Sequence, residues 1–210
     1  MTTILITGGS SGIGYNLIQF LLSLGTFKII YTYNSNEIRI DNHLCSSYKV
    51  DFTDEIQFNN FIEYLNTVQI DILVNNYHTG FHPVHSHKVD ESTMLNGFIK
   101  NVIPTISITN LLLIKFKKAK TGKIITVLSN SLLSNNSAGK TLYLAEKNYL
   151  FSFVKGWDLE NQKYGIKSLA VFPKSISTNI NRDLDPKFFS VIDETTYDEI
   201  NFDFIKAINF

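Results

Sequence analysis

The chain has 210 residues, 44% of them hydrophobic, and carries 19 basic and 19 acidic residues for no net charge. That composition suits one packed domain over 1–210 and excludes the basic field that nucleic acid or an anionic membrane would need. The single cysteine, Cys45, excludes an intrachain disulfide and a paired-cysteine metal knuckle; with no basic-then-apolar leader and no unbroken run of roughly 18 apolar residues, a cytoplasmic protein is the expectation.

The first strand is expected at 3–7 ("TILIT"), and "TGGSSGIG" follows from Thr7 to Gly14. Glycines stand at 8, 9, 12 and 14, and a helical pattern over 12–24 (Ile13, Leu17, Phe20, Leu21, Leu24) begins inside the loop. Strand, glycine-rich turn and helix N-terminus together make a phosphate cradle: free N–H groups and the positive end of the helix dipole face an anion. Glycines let the backbone approach it without a side chain in the way. Taken alone, the motif also fits a glycine-rich turn with no ligand.

Further strands are expected at 28–33, 47–51, 71–76, 123–129 and 166–173, with helices over 55–66, 91–117 and 142–163. The tail reads as a last helix. Thr196 and Glu199 have capping-box spacing, and Tyr197, Ile200, Phe204 and Ile208 form a stripe. The alternation predicts an α/β fold, a doubly wound sheet of six parallel strands with helices on both faces. Right-handed crossovers then put every strand's C-terminal end on one ligand-binding rim.

Two polar pairs fall on that rim. Tyr143 and Lys147, four apart in a helix, share one face. Ser129 ends the strand before that helix, and Asn101 sits in the long helix before the strand. A surface Tyr/Lys pair is the bland alternative. The loop "HTGFHPVHSH" holds four histidines in ten residues: His78, His82, His85 and His87. Zinc ligation, a histidine facing the substrate, and solvated loop histidines are the three readings, and no metal site is expected.

These residues, in this order, resemble the short-chain dehydrogenases/reductases over about 3–180. "TGGSSGIG" is similar to the family's TGxxxGIG, which implies cofactor contacts at Gly8, Ser10, Ser11, Gly12, Ile13 and Gly14. "VDFTD" (50–54) resembles D-V-T-D, which implies that Asp51, with Phe52, meets the adenine. "NNYH" resembles NNAG and brings in Asn75 and Asn76. "KNVIPT", "GKIITVLS" and "YLAEK" resemble the segments that carry the active-site Asn101, Ser129, Tyr143 and Lys147, and "PKSIST" resembles PGxxxT, which implies Pro173, Ile176 and Thr178 at the nicotinamide. Tyr77, His78 and Lys174 depart from the family pattern, and 34–46 is short for a helix.

The resemblance implies an NAD(P)-dependent oxidoreductase acting on a carbonyl/alcohol pair. Tyr143 would be the acid in reduction and the base in oxidation. Its ordinary pKa of about 10 calls for a nearby cation, here Lys147 and the oxidised nicotinamide. Ser129 would hold the substrate oxygen, Lys147 would also bond the nicotinamide ribose, and Asn101 would hold a water that relays protons to Lys147. Tyr33, Asn34 and Ser35 stand where an NAD-specific site places a carboxylate. Asn34 and Ser35 are therefore expected to receive a 2′-phosphate, which makes NADP the expected cofactor and NAD the alternative. The competing readings are a cofactor-binding regulator with little turnover, and dehydration or isomerisation on the same fold. The helices 91–117 and 142–163 are apolar around most of their circumference, so a homodimer or homotetramer is expected.

Overall fold

The structure, a computed structural model, describes residues 1–81, 83–133, 138–174 and 196–210. His82, Ile176 and Thr178 lie outside the described residues. Six strands form one parallel sheet: β1 (Thr2–Ile6), β2 (Phe27–Tyr33), β3 (Cys45–Lys49), β4 (Ile72–Asn75), β5 (Gly122–Val127) and β6 (Ile166–Val171). Their order across the sheet is β3-β2-β1-β4-β5-β6. The chain runs outward from β1 to β3, returns, and then runs outward through β4 to β6. This places the switch point between β1 and β4, where an open α/β sheet binds ligands.

Strand side chains alternate between two cores, as the two-residue period of a strand requires. Ile4, Ile6, Ile29, Tyr31, Val74 and Ile125 face one side with α1 (Gly12–Ser23) and α6 (Tyr197–Asn209). Leu5, Ile30, Leu73 and Ile124 face the other with α2 (Glu55–Thr67), α4 (Ile103–Ala119) and α5 (Thr141–Asn161). The expected α6 forms with both arms of its capping box, and Ile200, Phe204 and Ile208 are buried. No helix is present between β2 and β3, as the shortness of that segment predicts.

The expected single helix over 91–117 is two helices, α3 (Glu91–Asn101) and α4. Pro104, in the first turn of α4, has no N–H to bond back into the preceding turn, so the chain breaks at Val102. Within Glu91–Ala119 an 18-residue stretch has a mean hydropathy of 1.4, enough by length and composition alone to cross a membrane. Here Ile108, Leu112, Leu113 and Phe116 bury α4 against the sheet. The break leaves Asn101, the last residue of α3, buried beside α5.

Candidate active site

The loop after β1 is shaped by its glycines. Gly8 and Gly12 take positive φ (67° and 53°), where a Cβ would be strained. A Cβ on Gly14 would come within 2.5 Å of Gly8 O and 2.6 Å of Asn76 Nδ2. That amide fastens the loop to β4 by donating to Thr7 O (3.0 Å) and Gly8 O (2.8 Å). Ser11 makes no side-chain cap on α1, and the first turn holds no acidic residue. Uncapped N–H groups therefore open onto a cavity of about 340 Å³, whose wall includes Gly8, Ser10, Ser11, Gly12 and Ile13. This wall fits a dinucleotide phosphate.

The wall of the same cavity also includes Ser129, Tyr143, Lys147 and Pro173, together with Asn34, Phe52 and Asn76. Four expected contacts are not part of this wall. Asn75 turns its amide into the fold, donating to Thr109 Oγ1 at 2.9 Å, because a polar side chain buried at the end of β4 must find a partner there. Asp51 accepts from the N–H and hydroxyl of Thr53 (2.8 and 2.7 Å), which holds its carboxyl below the usual range. Ser35 is exposed, and neither it, Asp51, Asn75 nor Gly14 forms part of the cavity wall.

Ser129 follows β5 and caps a short 3₁₀ turn, accepting from Ser131 N at 3.2 Å. Burial pushes the Tyr143 phenol above its ordinary value; the Ser129 hydroxyl works against this, and the Glu146 carboxylate adds to it. Lys147 is buried, and desolvation pushes its ammonium down to about 8. It donates to Val127 O at 2.9 Å and lies 5.8 Å from the centre of the Tyr143 ring. At Tyr143 desolvation outweighs the neighbouring side chains.

Asn101 does not reach the cavity wall. Its Oδ1 accepts from Thr79 N (2.9 Å) and Thr79 Oγ1 (2.8 Å), and its Nδ2 donates to Glu146 Oε2 (3.0 Å). The same carboxylate oxygen lies 3.0 Å from His78 Nε2. Of the three loop histidines among the described residues, His78 lines the cavity and His85 and His87 do not. His85 and His87 stack on each other at the surface, 5.9 Å between centroids. Among the described residues no three potential metal ligands converge.

Sequence reasoning gave no role to Glu146, Phe81, Tyr77 or Lys140. Phe81, Tyr77 and Lys140 line the cavity. Glu146 had a legible signal, because helical spacing puts 143, 146 and 147 on one face. The others are placed by loops, where side-chain direction follows no period.

The family model described as short chain dehydrogenase matches residues 2–187. The chain belongs to that family. It is an NAD(P)-dependent oxidoreductase acting on a CH–OH/C=O pair of a small molecule. It is similar to the 17-beta-hydroxysteroid dehydrogenase type 3 of Mus musculus, 27% identical over 208 residues that cover 94% of this chain and 67% of that protein. It is also similar to the sorbitol-6-phosphate 2-dehydrogenase of Klebsiella pneumoniae, 26% identical over 180 residues that cover 81% and 67%. A solved structure of ElxO with NADP bound is 26% identical with a TM-score of 0.74, covering 90% of this chain and 80% of that one.

Proposed function

We propose that this short-chain dehydrogenase is an NADP-dependent reductase or dehydrogenase with Tyr143 as its acid and base. One observation carries the reading: Tyr143, Ser129 and Lys147 stand on the wall of the same groove as the Gly8–Gly12 phosphate cradle. When bound, the nicotinamide supplies or accepts the hydride. Tyr143 hands its phenolic proton to the developing alkoxide in reduction and takes it back in oxidation. Ser129 holds the substrate oxygen by hydrogen bonding. Lys147, on the same face as Tyr143, supplies positive charge beneath the phenol and a donor towards the cofactor ribose. Asn101 supports this set from behind.

The preference for NADP rests on the end of β2. Asn34 lines the cavity, and no carboxylate of the described residues does. Glu37, the nearest carboxylate along the chain, is engaged by the Ser47 hydroxyl. A 2′-phosphate there would meet the amide of Asn34, which also bonds the Asp51 carboxylate, and the hydroxyl donors of the same wall. The NADP-bound ElxO neighbour supports the same choice.

Oxidation of NADPH and of NADH against ketones, aldehydes and β-ketoacyl thioesters tests the activity, and fluorescence titration of both cofactors tests the preference. Turnover of at least one carbonyl compound with tighter NADPH binding is expected. No turnover on any class overturns the activity, and tighter NADH binding overturns the preference.

A further inference from the structure

Between Tyr143 and Lys147 stands a buried carboxylate to which the reaction above gives no part. Glu146 is 5% exposed. Its Oε2 takes the Asn101 Nδ2 of α3 and the His78 Nε2 of the loop after β4, both at 3.0 Å. Its Oε1 presses on Gly97 of α3, where a Cβ would come within 2.2 Å. The crossing of α3 and α5 is thus built around this one carboxylate.

His78, Thr79 and Gly80 of the loop are each held by a hydrogen bond. Gly80 N donates to His78 Nδ1 at 3.1 Å, so the ring proton is assigned to Nε2, which donates to Glu146. Desolvation holds the His78 pKa below its ordinary value and keeps that neutral form. Thr79 donates twice to Asn101 Oδ1. The rings of the same loop then bracket Tyr143: His78 meets it edge-on at 5.1 Å and Phe81 at 5.6 Å. Displacing the loop displaces the phenol.

We propose that Glu146 is a positioning residue for proton transfer: by gripping His78 and Asn101 with one oxygen, it clamps the loop after β4 to α5 and sets the Tyr143 ring. A clamp serving stability alone has no need of a buried charge, because apolar packing of similar volume is as stable or more so. The charge is also well placed, three residues from the acid and one from Lys147. It opposes ionisation of Tyr143, keeping it a proton donor, and favours the Lys147 ammonium. The groups facing Glu146 are His78 from the loop, Asn101 from α3, and Tyr143 and Lys147 from α5. The inference rests on Tyr143 being the acid.

The test is a titration of the Tyr143 phenol in the NADP⁺ complex, followed by NMR on ring-¹³C tyrosine and assigned by the line lost in Tyr143→Phe. In Glu146→Gln the midpoint is expected to fall by about one pH unit or more, with NADPH affinity within about two-fold of wild type. On any carbonyl compound the parent reduces, kcat is expected to fall at least about ten-fold at unchanged KM. If Glu146→Gln does not fold, Glu146→Ala with Gly97→Ala, whose new methyl enters the space left by Oε1, gives the same readouts. A midpoint and kcat unmoved in a folded variant, or losses that only follow the melting temperature, overturn the proposal. If the wild type reduces nothing, the proposed activity fails while the titration still decides the role of Glu146.

Discussion

Lys147 sits one helical turn beyond Tyr143 and donates its ammonium to the carbonyl of Val127 at 2.9 Å, which holds the charge beneath the phenol and out of solvent. The arrangement is costly for an isolated fold and useful for a proton-transfer site. Desolvation pushes Lys147 from an ordinary 10.5 to about 8.

That cost predicts a trade between stability and activity. Between about 8 and 10.5 the folded chain binds one proton fewer at Lys147 than the unfolded chain, so this group's contribution to stability rises with pH across that window. Below about 8 the full penalty remains, about 3 kcal/mol from the size of the shift. Lys147→Met removes the penalty but leaves the Val127 carbonyl without its donor. A net gain of about 1–2 kcal/mol at neutral pH is expected. It would read as a melting temperature several degrees above wild type at pH 7, and that advantage should shrink by pH 10. Turnover should be lost. Melting curves from pH 6 to 10 check this, and a variant less stable than wild type at pH 7 contradicts it.

Tyr143→Phe removes one oxygen and keeps the ring that packs against His78 and Phe81. NADPH binding is therefore expected within about two-fold of wild type while turnover falls by about 10²-fold or more, the scale of a lost general acid. Activity near the parent level would remove Tyr143 from that role.

Gly14→Ala would force a methyl towards Gly8 O and Asn76 Nδ2, atoms belonging to the loop and to the amide that fastens it. Backbone cannot yield as a flexible side chain does. A destabilisation of about 1–3 kcal/mol is expected from overpacking, together with at least about ten-fold weaker NADPH binding because the cradle must open. Thermal melting and fluorescence titration measure the two effects separately.

The outer face of α3, α4 and α5 exposes Met94, Leu95, Ile99, Ile114 and Tyr149, all between 44% and 57% accessible. Exposed apolar side chains of this size on these helices suit a proposed two-fold interface with a second copy of the chain. Light scattering is expected to give a mass of at least twice the single-chain 23.9 kDa at micromolar concentration. A monomer mass would leave that face without its proposed partner.

Period and punctuation carried most of this fold in the sequence. β-branched runs alternating with helical stripes dictate a parallel sheet. The glycines of the first loop dictate a cradle, because only they tolerate its φ values and close contacts. The spacing of Tyr143 and Lys147 dictates a shared face. Those are local rules, acting over a few residues. Tertiary structure decided the rest. The break at Val102 turns Asn101 inward, and only the crossing of α3 on α5 brings it to Glu146. His78 stands 68 residues from Glu146, and nothing in its loop says that it will be buried while His85 and His87 stay in solvent. Asn75 and Asn76 are adjacent and alike in sequence, yet the pleat of β4 sends one towards α4 and the other to the cofactor loop. Such choices depend on which polar groups find partners once the elements have packed, and burial sets that cost only in three dimensions.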